Sequence, residues 1–134
     1  MKTRVLDSWA ILEWINARQP AGKLVAEVLA QAEAGKIRLL MSAINVGEIY
    51  YFLRKHHRVA LAEDWRALSQ TLPATMEVPS MPDIWDAATL KGQFPISYAD
   101  AFAAALAQKH ACALITGDRE FRAVKHLELH WIGS

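Results

Sequence analysis

Four acidic residues occupy positions from which a fold could bring their carboxylates together: Asp7, Glu48, Asp100 and Asp118. Asp7 and Asp118 each follow a short apolar run that predicts a buried strand. An acid placed after a parallel strand lies at the sheet edge where open α/β sheets bind their ligands. Glu48 and Asp100 lie early in two predicted helices that would flank the same edge. The sequence therefore predicts that the four carboxylates meet in one crevice.

Each of the three aspartates also has a purely structural explanation, because Asp is a preferred helix cap. Asp7 could cap the helix that begins at Ser8, and Asp118 could cap the turn that follows it. Asp100 could complete a capping box with Ser97, in which a hydroxyl and an acid satisfy the first free N–H groups of a helix. Only the four acids taken together favour a functional site.

Glu48 is harder to explain by structure alone, because its helix is otherwise apolar around it. It shares one face of the predicted helix with three large side chains, at positions 44, 51 and 52. An ionised carboxylate on an apolar face needs a cation, a metal or a raised pKa. Asn45 lies one helical turn before Glu48 and is close enough to orient it.

Four carboxylates in one crevice would repel one another unless cations were bound between them. Hard divalent ions with oxygen ligands, Mg²⁺ or Mn²⁺, meet that need. The chemistry suited to such a site is phosphodiester hydrolysis, because the metal polarises a phosphoryl oxygen and lowers the pKa of an attacking water. The hypothesis at this point is a metal-dependent nuclease.

The composition of the chain restricts its domain number, its way of binding nucleic acid and its cellular location. With 134 residues, 53% of them apolar and 22% charged, the chain is expected to fold as one domain over residues 1–134. A net charge of +1 gives no global basic field for holding nucleic acid, so any polyanion must be bound locally. The single Cys112 excludes an internal disulfide, and no run of residues reads as a signal peptide or membrane span. We therefore expect a cytoplasmic protein.

Strand and helix patterns alternate along the chain, which predicts an α/β fold with a mostly parallel central sheet and helices on both faces. Strands are predicted at residues 4–6, 37–41, 76–78, 111–116 and 127–131. Helices are predicted at residues 8–17, 24–35, 43–57, 59–72, 82–90 and 97–108. In the fourth helix, Leu61, Trp65 and Leu68 are expected to point inward, whereas Trp9 and Trp14 fit either the core or an exposed groove.

The chain resembles PIN-domain ribonucleases, and most of all the VapC-type toxins of bacterial toxin–antitoxin pairs. Four segments carry the resemblance: VLDSWAIL, SAINVGEIYY, SYADAFAAALAQ and LITGDREF. The resemblance implies a parallel sheet flanked by helices and a site in which the four acids bind one or two Mg²⁺ or Mn²⁺ ions. It further implies that Ser8, Thr116 and Asn45 support the site, and that Glu120 lies near it in a role that varies.

By the same resemblance, the protein would be an endoribonuclease that acts as a toxin and is neutralised by a cognate antitoxin protein. The antitoxin would press a basic side chain toward the acids, and the toxin would form a homodimer through its helices. From their nearness to Asp118, we also hypothesise that Arg119, Arg122 and Lys125 form a basic rim that guides RNA phosphates.

Other functions stay open at this point. A PIN-type nuclease could work in RNA processing without an antitoxin, and a non-catalytic α/β interaction domain could bind a metal only for stability. A phosphoacceptor domain is disfavoured, because Asp7 has no second acid beside it and no Lys ends a predicted strand.

Overall fold

The computed structural model describes residues 1–134 as five parallel strands, six α-helices and one short 3₁₀ helix. The strands are β1 (Lys2–Leu6), β2 (Ile37–Ser42), β3 (Thr75–Glu77), β4 (Ala113–Thr116) and β5 (Leu129–Trp131). The helices are α1 (Ser8–Ile15), α2 (Ala21–Glu33), α3 (Ala43–Lys55), α4 (Val59–Leu68), α5 (Met81–Gln93) and α6 (Tyr98–Lys109), and the 3₁₀ helix spans Arg119–Ala123. The predicted α/β class is confirmed. No helix combines the length and apolar character needed to cross a membrane.

The order of strands in the sheet places β1 at its centre. The order is β3-β2-β1-β4-β5, and every neighbouring pair is parallel. The chain builds outward from β1 through β2 to β3 and then returns to the other side of β1 with β4. The carboxyl ends of β1 and β4 therefore form a topological switch point, where open α/β sheets have their ligand crevice.

Helices cover both faces of the sheet, and successive residues of β1 enter two different cores. Leu6 packs with side chains of α1 to α4, whereas Val5 packs with side chains of α5 and α6. Both residues have no exposed surface. Burial on both faces explains the short apolar runs at residues 5–6, 39–41 and 113–115 in the three central strands.

Several predicted boundaries were wrong at element ends. Strand β4 begins at Ala113, two residues later than predicted, because Ala111 adopts a left-handed turn (φ 48°) that ends α6. Helix α4 ends at Leu68 instead of residue 72, and the side chain of Leu68 is exposed, contrary to the inward position predicted for it. Trp65 is buried as predicted, and its indole N–H donates to the Val46 carbonyl at 3.0 Å.

Candidate metal centre

Asp7 occupies the junction of β1 and α1, where it has two hydrogen-bond partners. One carboxylate oxygen accepts from the Ala10 backbone N–H at 2.8 Å, so Asp7 does cap α1 as the structural explanation proposed. The other oxygen accepts from the Thr116 hydroxyl at 2.5 Å. Only 1% of Asp7 is exposed. The cap therefore fixes a buried carboxylate at the end of the central strand.

Thr116 connects this carboxylate to the next acid. Its hydroxyl oxygen accepts a hydrogen bond from the Asp118 backbone N–H at 3.0 Å while it donates to Asp7. Asp118 in turn accepts from the Glu120 backbone N–H at 3.0 Å, which starts the 3₁₀ helix. Because β1 and β4 are adjacent, the turn after β4 brings Asp118 beside Asp7.

Asp100 makes only half of the capping box that the sequence suggested. The Ser97 hydroxyl accepts from the Asp100 backbone N–H at 3.1 Å, but the Asp100 carboxylate does not return a bond to Ser97. Carboxylate oxygens of Asp100, Asp118 and Glu120 instead lie within 4.8 Å of one another. The complete capping box of the molecule is formed by Ser80 and Asp83 at the start of α5.

Glu48 reaches the same region from α3 and is oriented by two neighbours. The Ser8 hydroxyl donates to its Oε1 at 2.5 Å, and the Asn45 side-chain amide donates to the same oxygen at 3.3 Å. Asn45 also donates to the Ala99 carbonyl at 3.1 Å, which links α3 to the first turn of α6. Asn45 is completely buried, and its Oδ1 is a buried side-chain oxygen with no hydrogen-bond partner.

The apolar neighbours of Glu48 are not part of the core. Ile44, Tyr51 and Phe52 are all exposed on the outer surface of α3. The pattern predicted an apolar helix face correctly, but that face is open to solvent. Glu48 itself is only partly buried.

The electrostatic environment shows that the four acids lie near enough to interact. Burial raises the pKa of Asp7 to about 7, and the charges of Asp118 and Glu48 add to this increase, although hydrogen bonds from Thr116 and Ala10 oppose it. Burial also raises the pKa of Asp100 to about 8, helped by a hydrogen bond with Glu120 and by the charges of the other three acids. The structure therefore brings together all four acids that the sequence singled out.

The donor set fits a hard divalent cation. All the side chains are carboxylates, and Asp100, Asp118 and Glu120 could hold a metal ion with one oxygen each. A bound cation would also offset both the burial that mainly raises the pKa values of Asp7 and Asp100 and the smaller repulsion from the neighbouring acids. The ligand set predicted from the sequence did not include Glu120. Its position two residues after Asp118, in the turn that Asp118 caps, was a signal that it lies at the site.

The three basic residues of the hypothesised rim do not form one group. Arg119 is exposed beside Asp118, and the Arg122 guanidinium lies over the Trp131 ring, with its Cζ 4.1 Å from the ring centroid. Lys125 lies with Cys112 and Glu128, which precede β4 and β5, at the end of the sheet opposite the acids. The structure thus separates Lys125 from the acidic residues.

A parallel sheet that ends in a cluster of buried and partly buried carboxylates at its switch point is an architecture suited to metal-assisted hydrolysis. The sequence model of the PIN domain matches residues 4–127. This chain therefore belongs to the PIN domain family, which is a family of nucleases.

Solved structures with the same fold are VapC toxins of VapBC complexes and related toxin–antitoxin proteins. The VapBC2 structure from Rickettsia felis, bound to a DNA fragment from its promoter, has a TM-score of 0.74 at 16% identity over 96% of this chain and 97% of that chain. VapC20 of Mycobacterium tuberculosis, a toxin that cleaves the sarcin–ricin loop, has a TM-score of 0.74 at 16% identity over 94% and 98%. A toxin–antitoxin complex from Klebsiella pneumoniae has a TM-score of 0.65 at 20% identity over 91% and 92%. At these identities, the likeness is one of fold. No curated protein sequence gave a significant match.

Proposed function

We propose that this protein is a divalent-metal-dependent endoribonuclease and the toxin of a type II toxin–antitoxin pair. The observation that carries the proposal is the convergence of four carboxylates at one sheet edge, from the end of β1, from α3, from α6 and from the turn after β4, two of them buried. Membership of the PIN family supports nuclease activity, and the toxin fold of the structural neighbours supports the biological role.

In this proposal the metal ligands are the four acids found in the sequence: Asp7, Glu48, Asp100 and Asp118. When bound, Mg²⁺ or Mn²⁺ supplies Lewis-acid activation of the phosphodiester and of an attacking water. The protein's own contribution is to hold the ligands in place before the ion arrives. Thr116 fixes Asp7, while Ser8 and Asn45 fix Glu48. Such support of ligands by neighbouring donors is typically worth 10- to 100-fold in metal affinity or activity, as an order of magnitude.

The nuclease proposal is tested by cleavage of a mixed-sequence RNA with Mg²⁺ or Mn²⁺, compared with the same reaction in EDTA. We expect Asp7→Asn to abolish cleavage, because it removes the most buried carboxylate of the centre. Asp64→Asn is the matched control, since Asp64 is an exposed acid on α4. Cleavage by the purified protein that persists in EDTA or in Asp7→Asn would not depend on this metal centre and would contradict the proposal.

The toxin role predicts a partner protein. The structural neighbours include toxin–antitoxin complexes, and the exposed face of α3 (Ile44, Tyr51 and Phe52) offers apolar surface beside Glu48. We expect expression of the chain to arrest bacterial growth, Asp100→Asn to be harmless, and co-expression of the adjacent small reading frame to restore growth. RNA cleavage without growth arrest would instead indicate a processing nuclease without an antitoxin. A metal-stabilised protein that cuts no RNA would indicate a non-catalytic domain.

Homodimerisation is also part of the proposal. Met81 and Trp85 are exposed one turn apart at the start of α5, and Val78, three residues before the helix, is exposed as well. Stable interfaces bury roughly 800 Å² per partner, which a helical surface of this kind can supply together with its surroundings. The prediction is a dimer in light scattering that becomes a monomer in Trp85→Ser. A wild-type protein that is monomeric at high micromolar concentration would contradict it.

A further inference from the structure

Trp131 lies at the acidic edge of the sheet, one strand away from the carboxylates. It is the last residue of β5, and its register partner on β4 is Thr116, the residue that contacts both Asp7 and Asp118. Neighbouring strands are about 4.8 Å apart. The backbone of Trp131 is therefore next to the proposed metal centre, on the side that faces away from α3.

Arg122 covers the ring of this tryptophan. The guanidinium Cζ lies 4.1 Å from the centroid of the indole, within the range of a cation–π contact. Arg122 is exposed and Trp131 is only partly buried, so the pair is open to solvent. Guanidinium and indole groups are the planes on which unpaired RNA bases stack in proteins.

Two glycines lie beside the Arg122–Trp131 pair. Gly117 directly precedes Asp118, and Gly133 follows Trp131 by two residues. A Cβ atom on Gly133 would lie 3.0 Å from the Trp131 Cζ2 and 2.9 Å from the Gly117 Cα. The two glycines therefore allow the ends of β4 and β5 to pack closely, with the Trp131 ring against Gly133.

We propose that Arg122 and Trp131 form a stacking subsite for one unpaired nucleobase of the RNA, beside the phosphate to be cleaved. This inference rests on the proposed nuclease function and adds to it a substrate feature. Arg122 would act through its flat guanidinium as well as its charge, which distinguishes it from an ordinary phosphate contact. Because bases inside a duplex already stack on each other, the subsite selects single-stranded or looped RNA.

The test compares two neighbouring arginines. Arg122→Lys keeps the charge but loses the plane, whereas Arg119→Lys makes the same change at an exposed arginine without an aromatic partner. The probes are a labelled single-stranded RNA, measured by fluorescence anisotropy in Ca²⁺, and the same RNA with abasic riboses. From the usual strength of base–aromatic stacking, we expect Arg122→Lys to bind the normal RNA about 5- to 150-fold more weakly. Arg119→Lys keeps the charge and loses no stacked plane, so it should weaken binding clearly less than Arg122→Lys does.

A second pair of variants separates stacking from folding. Trp131→Leu should weaken binding like Arg122→Lys, whereas Trp131→Phe keeps an aromatic plane and should retain most of the affinity, with circular dichroism confirming that both fold. On the abasic RNA the wild type and Arg122→Lys should bind alike. Equal losses in Arg122→Lys and Arg119→Lys, or an unchanged difference on abasic RNA, would show that Arg122 contacts only phosphate and overturn the inference.

The outcome for the proposed function is read separately, from cleavage by the wild type in Mn²⁺. If the wild type cuts RNA and the Arg122 and Trp131 variants match it in binding and in KM, the stacking inference fails alone. If the wild type neither binds nor cuts RNA, both proposals fail together.

Discussion

The hydroxyl of Thr116 donates to the carboxylate of Asp7 at 2.5 Å and so joins the ends of two adjacent parallel strands. Both residues are buried, with 0% and 1% of their surfaces exposed. The same hydroxyl accepts from the backbone N–H of Asp118. One side chain therefore controls the position of two carboxylates, and its removal should affect the centre more than the fold.

Thr116→Val tests this role, because valine has the same shape without the hydroxyl. It leaves an oxygen of the buried Asp7 without a partner, at a cost of about 1–3 kcal/mol, and removes the acceptor of the partly buried Asp118 N–H. We expect Mn²⁺ affinity, measured by calorimetry, to fall about 10- to 100-fold and RNA cleavage to fall with it. Thr116→Ser restores the hydroxyl and should recover most of the affinity. Equal behaviour of the Val and Ser variants would mean that the hydroxyl is not needed.

Asn45 is the corresponding support for Glu48. Its amide donates to Glu48 and to the carbonyl of Ala99, so Asn45→Ala leaves Glu48 oriented only by Ser8. We predict a loss of about tenfold in Mn²⁺ affinity and a higher metal concentration for half-maximal cleavage. Excess Mn²⁺ should rescue much of the cleavage rate, which a misfolded protein would not allow. Asn16→Ala, at an exposed amide bonded to Arg58, is the control and should bind Mn²⁺ normally.

The positions of the acids could be predicted from the sequence because local rules determine them. Asp7 and Asp118 follow strands, and the carboxyl ends of neighbouring parallel strands lie at one edge. That β1 and β4 are in fact neighbours is a property of the whole sheet, which the alternation of strands and helices only made plausible. The caps and the site proved compatible, since Asp7 both caps α1 and faces the other acids.

Contacts between distant segments could not be predicted in this way. Arg122 stacks on Trp131 because β5 returns beside β4, and nothing in the local pattern of either residue indicates the partner. The sequence grouped Lys125 with Arg119 by proximity along the chain, but the 3₁₀ helix carries the chain away from the acidic edge before Lys125. Leu68 fitted the helical period, yet it lies where α4 ends and is exposed.

Gly117 makes a further prediction about the turn that carries Asp118. A Cβ at this position would lie 2.3 Å from the Trp9 ring and 2.7 Å from the Gly133 Cα, so Gly117→Ala forces two segments apart. We expect it to lower the free energy of unfolding by about 1–3 kcal/mol, measured by urea denaturation. Gly47→Ala has open space in the middle of α3 and should stabilise the protein by about 1 kcal/mol. If Gly117→Ala unfolds with the same free energy as the wild type, the turn can shift to accept the added methyl group.

The raised pKa values predict how stability depends on pH when no divalent ion is bound. The pKa of Asp7 is about 7 and that of Asp100 about 8 in the folded protein, against 3.8 for an unperturbed aspartate. Between pH 4 and 8 the folded state therefore binds more protons than the unfolded state. The stability from these groups is present below pH 4 and is lost as the pH rises toward 8. In EDTA, we expect the Tm to fall over this range.

Asp100→Asn tests the same relationship, because asparagine stays neutral at every pH. Each unit of pKa shift corresponds to about 1.4 kcal/mol, and about 1 kcal/mol changes the Tm of a chain of this size by roughly 3–5 °C. In EDTA at pH 8, Asp100→Asn should therefore melt about 5 °C or more above the wild type, although we expect it to cleave no RNA. Adding Mn²⁺ should raise the Tm of the wild type more at pH 8 than at pH 5, because the ion binds the ionised acids, and should raise that of Asp100→Asn much less. A variant that melts below the wild type at pH 8 in EDTA would show that Asp100 stabilises the metal-free fold, contrary to the cost expected from its burial and from the neighbouring acids.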